Sequence, residues 1–352
     1  MSLNQAKLEQ FLERFTNDLG AAMSATLVVV GDRLGLYKAM AGTGPVTPAE
    51  LAERTGTTER YIREWLAAQA ASGYVEYEPA TGRFSMTAEQ VFAFTSPDSP
   101  VDPAGSLRLT GAMVRAEDRM VEAFRTGKGV GWHEHHHTLF EGTERTFRSH
   151  YANFLVQQWI PALEGVGEQL RRGAVVADVG CGHVASTILM ARAFPQSHFR
   201  GFDYHETSIA QARQRAAEAG VTDRVTFEVG TAKTFPGTDY DLVTFFDCLH
   251  DLGDPAGAAR HVRTTLASGG TWMIVEPHAN DRLEDNLNPV GRIFYSASTM
   301  FCTPASLSQE VGAALGAQAG ETRVRQLTKA AGFSHFRRAA ETPFNRVYEV
   351  RV

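Results

Sequence analysis

Cysteine is scarce in this 352-residue chain. Its three copies, Cys181, Cys248 and Cys302, are too few and too scattered for a disulfide framework or a cysteine zinc site. Long apolar runs are missing too: Leu27 to Val30 is far short of the roughly 20 residues that a membrane helix needs. The N-terminus lacks the charged-then-apolar pattern of a secretory signal. No block of single-sign charge occurs, and the formal net charge of −6 gives no electrostatic support to a nucleic-acid partner. These absences predict a soluble cytoplasmic protein with no membrane partner.

What is present reads as helices first. Leu8, Phe11, Leu12, Phe15 and Leu19, then Leu27 and Val28, recur at helical intervals, which predicts two helices over Leu3 to Leu36. Thr47-Pro48-Ala49-Glu50 supplies a cap, a helix-opening proline and an N-terminal acid. A second helix from about Thr57 through Trp65 breaks at Gly73. Tyr74 to Tyr77, a turn at Pro79 to Gly82, and Arg83 to Met86 then complete a winged helix-turn-helix. Such a module reads DNA or serves packing and dimerisation. From Ala41 to Thr95 there are four Arg and no Lys against seven Glu, a poor footprint for DNA and a point in favour of dimerisation. Ser96 to Pro103 is a linker. Helical patterns at Gly105 to Phe124 and Glu144 to Leu170 flank a Gly/His-rich loop, Gly127 to Thr138. The expected division is a winged-helix domain over 1–95, a helical connector and cavity roof over 96–170, and an α/β domain over 171–352.

The α/β half turns on AVVADVGCGHV, 174–184. Ala174 to Val179 suits a buried parallel strand, Gly180-Cys181-Gly182 a tight turn, and Val184 to Ala193 a helix. Strand, glycine turn and helix make a ligand site at the carboxyl end of a sheet. A second strand near 199–203 ends in Asp203, at the spacing from which an acid binds ribose hydroxyls. His183 and Val184 stand where further glycine suits a pyrophosphate, so an adenosyl ligand without phosphates fits better than a dinucleotide. Further strands are expected at 224–229, 240–246 and 271–276, with Ser334 to Ala340 and Asn345 to Val350 pairing at the sheet edge. Asp281 to Ser306 shows no simple periodicity.

Candidate chemistry gathers at strand ends. Asp178 either orients the turn or accepts from an ammonium group. Tyr204 follows the ribose acid, Thr231 and Ala232 flank an adenine by position, and Asp247 and Cys248 close the fourth strand beside the first. His250 lies just beyond, where imidazole reaches a substrate with a pKa near operating pH, and Glu276 ends the fifth strand in position to orient it. Asp251 adjoins His250 without a requirement to pair with it. His135, Arg148, Tyr151 and Phe294 are candidate substrate contacts. No metal is expected, because in the tract His133 to His137 only the two ends share a helical face.

Together these residues resemble the class I methyltransferases that use S-adenosylmethionine. VADVGCG at 176–182 is similar to the family's first motif and Asp203 to its ribose-binding acid, although His183 stands where the family usually has glycine. With its winged helix the chain resembles mycobacterial-type two-domain methyltransferases and, more distantly, small-molecule O-methyltransferases. The resemblance implies a Rossmann-like seven-stranded sheet, S-adenosyl-L-methionine as cofactor with S-adenosyl-L-homocysteine as product, and a small-molecule acceptor. It further implies a homodimer through the N-terminal domain. CLHDLGDP, 248–255, resembles the segment whose histidine deprotonates a substrate hydroxyl, which places that role on His250 with Glu276 as its orienting acid. N- or C-methylation without a base, or a DNA-binding regulator sensing an adenosyl ligand, are the alternatives.

Overall fold

A computed structural model describes residues 3–352, which divide into two units. One runs to Val114 and takes in His137–His150; the other comprises Arg115–His136 and Tyr151–Val352. Among the described residues no helix is long and apolar enough to cross a membrane.

The first unit opens with α1 (Gln5–Arg33), a single helix of 29 residues followed by α2 (Leu36–Met40). Two long helices were expected here. Ala21, Ala22, Met23 and Ala25 are strong helix formers and carry the helix past Gly20, so the break falls at Gly35, in the left-handed region at φ 70°. Helices α3 (Pro48–Thr55) and α4 (Glu59–Ala71) feed the hairpin β1 (Glu76–Glu78) and β2 (Arg83–Ser85). Thr47 caps α3 in a reciprocal box with Glu50, at 3.2 and 2.8 Å, and Arg83 grips the same Glu50 with both guanidinium nitrogens. The wing is thus pinned to the helix pair. Inside, Trp65 lies so close to α1 that a Cβ on Gly31 would come within 2.4 Å of its ring, and its Nε1 donates to the Leu27 carbonyl. A capped helix α5 (Ala88–Thr95), absent from the sequence reading, follows.

Helices α6 (Pro103–Arg115), α7 (Glu117–Thr126) and α8 (Thr138–Phe154) follow, divided between the two units. Arg145 on α8 binds Asp32 at 2.6 Å and Asp102 at 2.7 Å, which explains why this part of α8 belongs with α1. Beyond Phe154 the helix loosens into a π-turn, Leu155–Trp159, before α9 (Val166–Arg172).

The second unit carries a seven-stranded sheet. Its elements run β3 (Val175–Val179), α10 (Ala185–Ala193), β4 (His198–Asp203), α11 (Glu206–Ala219), β5 (Val225–Val229), β6 (Tyr240–Phe246), α12 (Pro255–Thr265) and β7 (Leu266–Pro277). After these come α13 (Pro289–Ala297), α14 (Thr303–Leu307), α15 (Gly320–Ala330), β8 (His335–Glu341) and β9 (Asn345–Arg351). Strand order is β5-β4-β3-β6-β7-β9-β8, parallel up to β7 and antiparallel beyond. β8 and β9 do pair, and β9 slots between β7 and the edge. The stretch without periodicity, 281–306, folds as α13, a π-turn Ser298–Cys302 and the start of α14. Val176, Ala177, Phe245 and Ile274 are fully buried in the sheet's core. The order reverses between β3 and β6, the switch point at which such sheets open a crevice.

Candidate active site

Register brings the strand ends together. Val179 lies beside Phe202 and Phe245, and Phe246 beside Val275, so Gly180, Asp203, Asp247 and Glu276 follow at the carboxyl edge of four adjacent strands. Gly180 has φ 74°, and a Cβ there would come within 2.8 Å of Cys248 Sγ, so side chains are excluded on both counts. A Cβ on Gly182, at φ 48°, would enter open space. The turn is held from below: the Gly180 and Cys181 amides donate to the Phe202 carbonyl, and Cys248 Sγ donates to the Val179 carbonyl. Val184, a β-branched residue, is forced to φ 68°.

The two acids of the turn have different surroundings. Asp178, 1 % exposed, accepts from Ser186 Oγ at 2.8 Å, Thr187 Oγ1 at 2.5 Å and Thr244 Oγ1 at 3.0 Å. Three hydroxyls on α10 and β6 occupy its oxygens, which favours the orienting role over direct contact with an ammonium. Asp203 accepts one N–H on each oxygen, from Gly182 at 3.0 Å and His205 at 2.9 Å, and burial raises its pKa. Each oxygen keeps a second lone pair for a hydroxyl beside the glycine turn.

Asp247 ends β6 at φ 49°, in the left-handed region, which is costly for a residue other than glycine. Tyr151 OH donates to its Oδ2 at 3.1 Å and Asn345 Nδ2 to its Oδ1 at 2.8 Å. Burial, then the neighbouring Glu276 carboxylate, push its pKa up to about 8, so it keeps its proton near neutral pH. Tyr151 is buried, its ring 5.2 Å from Phe246.

His250 sits on a short 3-10 turn, Leu249–Asp251, and is 3 % exposed. Its Nδ1 meets Glu276 Oε2 at 2.7 Å, while Glu276 Oε1 accepts the Leu249 amide at 3.2 Å. The carboxylate therefore fixes both the ring and the turn that carries it. On the other side Nε2 lies 3.2 Å from Asp251 Oδ1, outside hydrogen-bond geometry. Burial by itself lowers the imidazole pKa, but Glu276 and then Asp251 outweigh it and hold the value well above the ordinary one. Cys302, at the end of the second π-turn, joins this group: its Sγ, Nε2 and the Asp251 carboxylate lie within 4.8 Å of one another. Cys302 and Asn345 carried no sequence signal for the site, and Asp251 was read only as a neighbour.

The other expected contacts are spread out. Thr231 is exposed, with its hydroxyl bonded to that of Thr234 at 2.8 Å, and Ala232 is half-buried beside it. Tyr204 is 46 % exposed, with His133 edge-on at 6.5 Å. His135 is buried against Phe301 at 5.2 Å, and burial lowers its pKa. Phe294 is half-buried on α13. Arg148 belongs to the first unit, where its Nε lies 3.7 Å from Glu144.

Residues 170–332 match the family described as "Methyltransferase domain", and residues 22–96 match the "Rv2258c-like winged HTH domain". Residues 170–332 thus form a methyltransferase domain of class I architecture, behind a winged-HTH domain. Enzymes of this class draw their methyl group from S-adenosylmethionine. Among curated proteins, the 27-O-demethylrifamycin SV methyltransferase of Amycolatopsis mediterranei is 34% identical over 103 residues, 29% of this methyltransferase and 38% of that protein. The ajmaline N-methyltransferase of Rauvolfia serpentina is 26% identical over 208 residues, 54% of this chain and 70% of that one. The chain thus spans well under half of the first relative. Among solved structures, human N-acetylserotonin methyltransferase in complex with SAM superposes with a TM-score of 0.72 at 17% identity, covering 99% of both chains. The mitomycin 7-O-methyltransferase MmcR gives 0.68 at 20% identity, covering 99% of this chain and all of that one. At these identities the likeness is one of fold.

Proposed function

We propose that this methyltransferase transfers the methyl group of S-adenosylmethionine to a hydroxyl oxygen of a small organic acceptor, with His250 as general base. One observation carries the reading: a buried imidazole, fixed by Glu276 through Nδ1, sits just past β6 at the same sheet edge as the glycine turn and Asp203. The names of the 27-O-demethylrifamycin SV methyltransferase, the mitomycin 7-O-methyltransferase and the N-acetylserotonin methyltransferase support a small organic acceptor.

The residues present fit the cofactor. Space opens at Gly182 where a side chain would otherwise project, and Asp203 offers one free lone pair on each oxygen beside it. Asp203 would hold the ribose hydroxyls, Tyr204 and residues 231–232 would border the adenine, and the 180–182 turn, whose amides are tied to Phe202 and Asp203, would leave room for the methionine part. Asp178, tied to α10 and β6, would position the turn. Asp247 and Cys248 would wall the crevice on the β6 side, with Tyr151, His135 and Phe294 as acceptor contacts. When bound, the cofactor supplies a methyl already activated on a sulfonium. His250 then receives the hydroxyl proton on Nε2, and Glu276 stabilises the imidazolium that results. The raised pKa favours the protonated ring in the resting protein, and the neutral ring is the form that accepts the proton.

A pH profile tests the pair. Activity is lost as pH falls through the His250 pKa, so the acid limb of kcat/KM is expected above the ordinary histidine value of about 6.5. Glu276→Gln removes the larger of the two raising influences, and the limb should move to lower pH. A limb that stays in place would detach Glu276 from the base.

N-methylation is the second reading, favoured by the ajmaline enzyme, which is matched over the longer stretch. A nucleophilic amine needs no base, so His250 would then be dispensable. For partners, we infer a homodimer through the winged-helix domain. Phe11, Leu12, Phe15, Leu19 and Met23 form an exposed apolar strip along α1, each 48 % exposed or more. On α4 the arginines are engaged with their own helix's acids, Arg60 with Glu64 and Arg63 with Glu59, which leaves little for phosphates. Phe15→Glu with Leu19→Glu should convert a dimer to a folded monomer in sedimentation; a wild-type protein that sediments as a monomer would remove the inference.

A further inference from the structure

Cys302, beside His250, closes the 298–302 segment, which winds as a π-turn, a distortion that recurs at functional sites. Three different donor atoms meet there: an imidazole nitrogen, a carboxylate oxygen and a sulfur, all within 4.8 Å of one another. His250 and Cys302 are buried at 3 % and 8 % exposure, and Asp251 Oδ1 is buried beside them, 3.2 Å from Nε2. The Nδ1 contact to Glu276 turns Nε2 toward Asp251 and Cys302. A carboxylate on the far nitrogen of a histidine is the arrangement that orients imidazole ligands of zinc.

We propose that His250 Nε2, the Asp251 carboxylate and Cys302 Sγ form a binding site for a zinc-class divalent cation. A tetrahedral ion with bonds of about 2.0 Å to N and O and about 2.3 Å to S keeps its donors roughly 3.3–3.8 Å apart; the imidazole–carboxylate pair stands at 3.2 Å and the sulfur within 4.8 Å of both. The mix of imidazole, carboxylate and thiolate selects this class over magnesium or calcium, which prefer oxygen alone. Three protein ligands leave a fourth position open. The Asp251 side chain, 22 % exposed, gives the way in. On binding, the thiol releases its proton and an imidazolium releases the one on Nε2. Cation, thiolate and carboxylate then sum to zero charge. Where the function proposed above holds, cation and acceptor proton compete for the same Nε2, so the loaded enzyme is inhibited.

The test is titration of the chelator-stripped, full-length, reduced protein with Co²⁺ under nitrogen. One cobalt per chain is expected, with the visible bands of a tetrahedral ion and a near-ultraviolet sulfur-to-cobalt charge-transfer band. Cys302→Ser should lose the charge-transfer band, and Asp251→Asn should weaken binding at least tenfold. Absence of the bands, or a charge-transfer band that survives in Cys302→Ser, overturns the proposal. Should Cys302→Ser fail to fold, X-ray absorption of the zinc-loaded wild type decides: one sulfur with nitrogen and oxygen neighbours supports the site, and a shell without sulfur rejects it. Zinc added to the methyl-transfer assay separates the two readings. Cobalt bands with undiminished transfer keep the cation site and remove His250 from the base role.

Discussion

Replacing His250 with Ala is expected to lower turnover on a hydroxyl acceptor roughly 10²–10⁴-fold while leaving affinity for S-adenosylmethionine near that of the wild type. The expectation follows from what His250 touches. Its ring contacts Glu276, Asp251 and Cys302, whereas the glycine turn and Asp203 are held by the Phe202 carbonyl and by the Gly182 and His205 amides. Removing the imidazole takes away the proton acceptor and leaves the crevice at the turn in place. Glu276 would lose its partner, but it keeps the Leu249 amide, so the strand end stays anchored. Single-turnover kinetics with saturating cofactor, beside calorimetric binding of the cofactor, make the measurement. Turnover within a few-fold of wild type would assign the acceptor atom to nitrogen or carbon.

Asp203→Ala should act on the opposite quantity. Two hydroxyl bonds to a carboxylate, each worth about 1.5–3 kcal/mol, disappear, and cofactor affinity is expected to fall on the order of 10²–10³-fold or more. The substitution also frees the Gly182 and His205 amides from the carboxylate that joins the β3 turn to the end of β4. Asp203→Asn tells the two effects apart. Asparagine keeps one accepting oxygen and replaces the other by an NH2 that can only donate, so an intermediate loss is expected. Binding of S-adenosylhomocysteine by calorimetry reads both variants, and unchanged affinity in Asp203→Ala would move the ribose elsewhere.

The parts that were legible in the sequence are those whose signal is local. Ala174 to Val179 is apolar but for Asp178 because, beyond the exposed Val175, the strand is buried on both faces, and Gly180 and Gly182 stand where the backbone turns left-handed. His250 and Glu276 were readable as strand-end residues, since register alone brings those ends side by side. The remainder depends on distant segments. Ser186 and Thr187 look like ordinary helix residues until α10 folds back over Asp178. Cys302 lies in a stretch whose π-turn has no period that a 3.6- or 2-residue template detects, and Asn345 belongs to a strand that looked like an edge hairpin. The long α1 was misjudged because a glycine in a run of strong helix formers costs only about 1 kcal/mol and does not stop a helix.

The place of β9 also has a bearing on how the chain is made. Emerging from the ribosome N-terminus first, the polypeptide completes β3 to β7 while one flank of β7, with Met273, Ile274 and Val275, still lacks its neighbour. Until residues 345–351 are synthesised, that flank is a bare template for any other extended peptide. Asp247 meanwhile waits for the amide of Asn345. A nascent chain halted before β9 therefore has its cofactor crevice nearly built yet is at its most sticky, which makes the closing strand a guard against aggregation during translation.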